Sequence, residues 1–73
     1  MQTVYIETTI PSYLGAHPSR LEPMATHQKK THEWWSNERH KFLLYSSLLV
    51  RQEAARGDAA AARRRLAYLK GMA

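Results

Sequence analysis

The sequence predicts an α/β protein with the element order β-α-α-β-α-α, which is the start of an open parallel sheet. Two short runs have the composition of strands: residues 3–6 are β-branched and aromatic, and residues 41–46 are mainly apolar and aromatic. The segment between them is long enough to supply the helical crossover that parallel strands require. Two further helical segments follow the second run. Two strands alone do not make an independently stable sheet, so more structure or a partner is expected.

Length and cysteine content limit how this fold can be stabilised. The 73 residues allow one domain at most, and a chain of this size buries only about 60% of the surface that it exposes when unfolded. The chain has no cysteine, which excludes disulfides and thiolate metal sites. Such a chain is expected to be tightly packed, to lean on a partner or to be part of a larger fold.

Charge and hydropathy indicate the class of partner. Eleven Lys and Arg against six Asp and Glu give a net charge of +5, which favours RNA, DNA or an acidic protein. No apolar run approaches the roughly 20 residues of a membrane span. The N-terminus lacks the basic and long apolar regions of a signal peptide. We therefore expect a cytoplasmic protein that does not enter a membrane.

The first strand leads into two helices. Thr8 or Thr9 is expected to cap a short helix, because Pro11 is tolerated in a first turn and Gly15 can end it. The longer second helix is predicted to run to about residue 38. It begins either with a capping box of residues 19 and 22 or with the proline of the Glu22-Pro23 pair at its first position. One moderately apolar face has three- and four-residue spacing, and it consists of Leu21, Met24, Gln28, Thr31 and Trp35.

The second strand is apolar on both faces, which suits a central strand covered by helices on both sides. A helix over residues 42–50 is the main alternative, because Leu is not a strong strand former. Ser47 is a good N-cap for a third helix over residues 48–56, which Gly57 ends. Asp58 caps a fourth helix over residues 59–70, and Gly71 stops it.

Two acids are expected to meet at one edge of the sheet. Glu7 and Thr8 directly follow the first strand, and Glu53 lies almost two turns into the helix after the second strand. Ligands of open α/β sheets bind beyond the carboxyl ends of the strands. Paired carboxylates with a hydroxyl suit Mg²⁺ or Mn²⁺, which can activate water and neutralise a phosphodiester. The alternative is that both acids are solvated and that the threonine only caps a helix.

The chain resembles the N-terminal half of a PIN-domain protein, close to the VapC-type toxins of bacterial toxin–antitoxin pairs. No single motif carries this resemblance, but the order and spacing of the matching residues are fairly specific. The first of them form the string Val4-Tyr5-Ile6-Glu7-Thr8-Thr9-Ile10-Pro11-Ser12-Tyr13-Leu14. The others are Pro18-Ser19-Arg20, His27-Gln28, Glu33-Trp34-Trp35, Tyr45-Ser46-Ser47, Leu49-Val50, Glu53 and Arg56-Gly57-Asp58.

The resemblance implies an incomplete PIN-like open parallel sheet, with residues 1–73 as the N-terminal part of a single PIN-like domain. It implies a metal-dependent endoribonuclease toxin that uses Mg²⁺ or Mn²⁺. Glu7 matches the first acid of the family's catalytic and metal-binding cluster, Glu53 the second, and Thr8 the supporting hydroxyl. The implied partners are an RNA substrate and a cognate antitoxin protein.

Two departures from the family pattern are visible. Leu48 stands where relatives with a Ser-Glu-Leu-Val string carry a Glu. The later acids of the family lie in a second half of the domain, and no acid follows Asp58 here. We therefore expect a truncated or split form of the domain, whose partner is the missing second half or a second copy of the chain.

The alternative function is a small basic RNA-binding or protein-interaction module without catalysis. Arg63, Arg64 and Arg65 are the candidate nucleic-acid-binding residues, since a run of arginines can contact phosphates. Trp34 and Trp35 can stack on bases, although such residues more often fill a core or an interface. An unpaired edge of the sheet could instead pair with another chain.

Overall fold

A computed structural model describes residues 1–72 of the chain, so Ala73, the last residue of the predicted domain, lies outside the described part. The predicted α/β class and the predicted order of strands and helices are confirmed. The elements are β1 (Gln2–Tyr5), α1 (Thr9–Gly15), α2 (Met24–Glu38), a 3₁₀ turn (Arg39–Lys41), β2 (Phe42–Tyr45), α3 (Leu48–Ala54) and α4 (Ala59–Leu69).

The two strands form a parallel pair, as predicted. Gln2 lies opposite Phe42 and Tyr5 opposite Tyr45. Beyond the last pair, the backbone N–H of Ile6 donates to the Tyr45 carbonyl at 2.8 Å, which holds the carboxyl ends together. β1 begins and ends one residue earlier than predicted, and the helical alternative for residues 42–50 is wrong over β2.

The helices cover one face of this sheet. Trp34 of α2 stacks on Phe42 of β2, with ring centroids 5.9 Å apart. Six buried residues form one cluster behind that face, namely Ile6, Leu14, Trp35, Val50, Ala54 and Leu69. On the opposite face Leu43 is 56% and Tyr45 40% exposed. The expectation of helices on both faces of the second strand is therefore wrong for residues 1–72.

The start of α2 differs from both predicted starts. The helix begins at Met24, one residue after Pro23. The predicted capping box is absent, because the Ser19 hydroxyl accepts from the backbone N–H of Leu21 at 3.1 Å. On the predicted apolar face Gln28 and Trp35 are buried, whereas Leu21 is 75% exposed and lies before the helix.

The caps of the last two helices are confirmed. The Ser47 hydroxyl accepts from the backbone N–H of Val50 at 3.1 Å, and the Asp58 carboxylate accepts from that of Ala61 at 3.0 Å. Gly57 and Gly71 both have a φ of +83°, the left-handed conformation that glycine adopts at little cost. The capping residues fix the starts of α3 and α4, and the two glycines follow their ends.

Candidate functional site

The candidate site lies at the edge where both strands end. Because β1 and β2 are parallel, their carboxyl ends meet at the same edge, and the segments that follow them emerge together. The Ser46 hydroxyl, just after β2, donates to the Ile6 carbonyl, just after β1, at 2.8 Å. This bond fixes the two chain segments that lead to Glu7 and to α3.

A hydrogen bond joins two of the predicted site residues. The Thr8 hydroxyl donates to Oε1 of Glu53 at 2.9 Å, across 45 positions of sequence. Thr8 occupies the position before α1, but its side chain makes no cap to that helix, so the predicted capping role is wrong. Thr9 is the first residue of α1 rather than its cap. The segment after β1 and the last turns of α3 therefore meet through these two side chains.

Glu7 lies beside this hydrogen bond in the chain. Its carbonyl accepts from the backbone N–H of Ile10 at 3.2 Å, which places Glu7 in the turn between β1 and α1. Its side chain is exposed and contributes to the lining of an open cleft of about 650 Å³. That cleft is mainly apolar, and Lys30 of α2 is its second charged lining residue. The other lining residues are Val4, Tyr5, Ile6, Ile10, Thr31, Trp34 and Phe42.

The donors for a metal ion are few. In residues 1–72 there is no group of three or more His, Cys, Asp or Glu side chains placed to hold a metal ion. Thr8 and Glu53 are in contact, and Glu7 is adjacent in the chain to Thr8. The carboxylate and hydroxyl oxygens of Glu7, Thr8 and Glu53 are donors of the kind that suits Mg²⁺ or Mn²⁺. Two carboxylates would leave most coordination positions of such an ion to water.

The three consecutive arginines have different environments. Arg64 donates through Nε to the carbonyl of Gly15 at 2.6 Å. Arg65 donates through Nε to the carbonyl of Ala54 at 2.9 Å and through Nη2 to the carbonyl of Arg56. Arg63 is exposed. Gly15 is the last residue of α1 and Ala54 the last residue of α3. The last carbonyls of a helix have no hydrogen-bond partner within the helix, and these arginines supply one.

Sequence reasoning missed this structural role. Gly15, expected only to end a helix, also allows α4 to approach closely, because a Cβ there would lie 3.2 Å from the Arg65 backbone nitrogen. The Arg-rich composition of α4 could be read as a solvated face or as a phosphate-binding face, and neither reading points to carbonyls of other helices. Phosphate binding by Arg63, Arg64 and Arg65 stays a prediction.

A tyrosine near the site was also missed. The hydroxyl of Tyr5, the last residue of β1, lies 2.9 Å from the Ser47 hydroxyl. The rings of Tyr5 and Tyr45 contact each other, with centroids 5.3 Å apart. The alternation of side chains along a strand puts these two residues on one face once the register is known. The register was the information that the sequence lacked.

Comparison with models of known protein families, with curated proteins and with solved structures finds no match to this chain. The PIN-domain resemblance therefore depends on the quoted residues alone. In the described part of the chain, no helix combines the length and hydrophobicity needed to cross a membrane.

Proposed function

We propose that this chain carries the first part of a PIN-type, metal-dependent endoribonuclease of a toxin–antitoxin pair. Glu7 and Glu53 would be its metal ligands and catalytic carboxylates, and Thr8 the supporting hydroxyl. The observation that carries the proposal is the hydrogen bond from Thr8 to Glu53 at the carboxyl ends of two parallel strands. The bond joins two of the proposed site residues across 45 positions of sequence, at the edge where open α/β sheets bind ligands.

In this proposal, Thr8 orients the carboxylate of Glu53. A hydroxyl that donates to one carboxylate oxygen holds the carboxylate in one orientation, and such supporting bonds tune metal ligands. Glu53 is exposed, so its carboxylate can reach a ligand from solvent. Glu7 is exposed as well and is held in the turn after β1.

The residues fit a hard cation in kind, since carboxylate and hydroxyl oxygens are the donors that Mg²⁺ and Mn²⁺ prefer. When bound, such an ion activates water and offsets charge on a phosphodiester. The contribution of the chain is to hold the ion with Glu7 and Glu53 and to orient Glu53 with Thr8. With only these two acids, the chain is expected to bind the ion weakly and to need further acids for efficient cleavage of RNA.

The alternative of a basic RNA-binding module has less support. Two of its three arginines donate to carbonyls of the fold, which makes their guanidinium groups less available to phosphates.

The test is a metal titration followed by thermal unfolding of the wild type, Glu53→Gln and Glu33→Gln. Mn²⁺ at about 100 times its dissociation constant should stabilise the wild type by about 2.7 kcal/mol, because the ion binds the folded state. Glu53→Gln should lose that gain. Glu33, an exposed acid of α2, is the matched control and should keep it. Any cleavage of a single-stranded RNA by the wild type should likewise be kept in Glu33→Gln and lost in Glu53→Gln.

Two results would refute the proposal. One is a wild type whose unfolding does not respond to Mn²⁺ at any concentration. The other is a response of equal size in the wild type and Glu53→Gln, which would assign the ion to another part of the surface.

A further inference from the structure

Both backbone polar groups of Ile6, the residue before Glu7, are bound by the end of the second strand. The Ile6 N–H donates to the Tyr45 carbonyl at 2.8 Å. The Ser46 hydroxyl donates to the Ile6 carbonyl, also at 2.8 Å. The Ile6 side chain is buried in the central cluster. Ser46 therefore holds the oxygen of the peptide group that joins Ile6 to Glu7.

Ser46 makes this bond where the backbone ladder stops. β2 ends at Tyr45, and the chain then leaves the sheet for α3, which begins at Leu48. In a longer parallel pair, the next carbonyl of β1 would accept from a backbone N–H of the neighbouring strand, because such bonds are evenly spaced. The Ser46 hydroxyl takes the place of that donor and satisfies the Ile6 carbonyl.

The residue on the other side of Glu7 is bonded to the same part of the chain. Thr8 donates to Glu53 of α3 at 2.9 Å. The residues before and after Glu7 are thus each tied to the segment that runs from the end of β2 through α3. Since neighbouring Cα atoms lie about 3.8 Å apart, these two bonds leave the Glu7 backbone little freedom to move relative to α3.

Such restraint matters for a pair of carboxylates. Glu7 and Glu53 carry like charges, which repel each other when no cation lies between them. A site whose ligands are already held in place binds more tightly, because binding then does not have to supply the ordering of the chain. The bond that holds the backbone before Glu7 is therefore expected to affect the affinity for the ion.

We propose that Ser46 is a positioning residue of the metal site, which holds Glu7 in place relative to Glu53 before an ion binds. This inference rests on the proposed function, since it takes Glu7 and Glu53 as the metal ligands. Ser46 acts through the Ile6 carbonyl and is not itself a ligand.

The position of Ser46 allows this role to be separated from general stability. Ser46 is half-buried and does not belong to the cluster of buried residues. Replacement by alanine removes one hydrogen bond at the edge of the sheet and keeps the Cβ atom. The fold should therefore persist, while the backbone at Glu7 gains freedom.

The experiment is a Mn²⁺ titration followed by electron paramagnetic resonance, which detects the free ion. We would compare the wild type with Ser46→Ala, Ser46→Thr and Glu53→Gln, after circular dichroism has shown that each chain is folded. Ala62→Gly is the control for lost stability, because Ala62 is buried in α4, which supplies no residue of the site, and glycine is unfavourable within a helix. Sucrose is present in all samples, because it favours the folded state.

Ser46→Ala should raise the Mn²⁺ dissociation constant about tenfold, the lower end for loss of a supporting residue, because Ser46 acts through the backbone. Ser46→Thr keeps the hydroxyl and should bind like the wild type. Ala62→Gly should unfold at a lower temperature but bind Mn²⁺ like the wild type.

Four results would overturn the positioning role. The first is a Ser46→Ala chain that binds Mn²⁺ as tightly as the wild type, and the second is a Ser46→Thr chain that binds as weakly as Ser46→Ala. The third is an equal loss of affinity in Ala62→Gly, which would make the effect one of stability. The fourth is a Ser46→Ala chain that does not fold in sucrose, because the bond would then be a requirement of the fold.

Failure of the proposed function gives a different pattern. A wild type that binds no Mn²⁺, or that binds it no better than Glu53→Gln does, would remove the metal site and the role of Ser46 with it. Binding that is lost in Glu53→Gln and unchanged in Ser46→Ala would refute only the role of Ser46.

Discussion

Replacement of Arg64 by methionine tests whether the arginine run holds the helices together. The side chain of Arg64 donates to the carbonyl of Gly15, at the end of α1, over 2.6 Å. A hydrogen bond that involves a charged group contributes about 1.5–3 kcal/mol, and the lower value applies because Arg64 is exposed. Methionine keeps most of the aliphatic stem, so the loss is mainly that of the guanidinium. For a domain of this size, about 1.5 kcal/mol corresponds to a fall in Tm of roughly 6–12 °C.

Arg63→Met is the matched control for this measurement. Arg63 is the neighbouring arginine of the same helix and is exposed, so the variant loses the same charge and should change stability by less than about 0.5 kcal/mol. Thermal unfolding followed by circular dichroism compares the two variants at one protein concentration, which matters if the chain self-associates. If both variants lower the Tm by the same amount, the decrease is an effect of net charge, and the reasoning from the Gly15 carbonyl is refuted.

Two further substitutions test the core and a helix cap by chemical denaturation. Leu69→Ala should destabilise the fold by about 2–5 kcal/mol, because Leu69 is 1% exposed in the central cluster; a loss below about 1 kcal/mol, close to that of the exposed control Leu21→Ala, would contradict this placement. Ser47→Ala should cost about 1 kcal/mol, because the hydroxyl caps α3 and also contacts Tyr5. Ser36→Ala, on the exposed side of α2, is the control for Ser47, and an equal loss in both variants would refute the cap.

Local signals in the sequence predicted the elements well. Ser47 and Asp58 cap helices where predicted, and Gly57 and Gly71 adopt the left-handed conformation after them. These features depend on a few neighbouring residues and on the backbone conformation that each side chain allows. The long crossover between two apolar runs was equally sufficient to predict the parallel pair, since parallel strands require such a connection.

The start of α2 was less predictable, because two local signals competed and because the loop before the helix is held by the side chain of Gln28. The backbone N–H of Ser19 donates to Oε1 of Gln28 at 2.8 Å, and Nε2 of Gln28 donates to the His17 carbonyl at 3.2 Å. The buried Gln28 amide thus holds the loop before α2 in place and takes Ser19 away from a capping box. The spacing placed Gln28 on the inner face of the helix, but it did not identify the backbone groups that the amide would bind.

Thr8 illustrates how the same limit applies to the candidate site. A side chain that caps a helix usually sits on extended backbone, whereas Thr8 has φ −59° and ψ −32°, which is helical. Its hydroxyl accepts no hydrogen bond from the N–H groups of α1, and it donates to Glu53. The helical backbone of Thr8 therefore accounts for the missing cap, and its contact with Glu53 depends on how α3 lies against the segment after β1. That contact joins residues far apart in the sequence, which is why the sequence alone left both roles of Thr8 open.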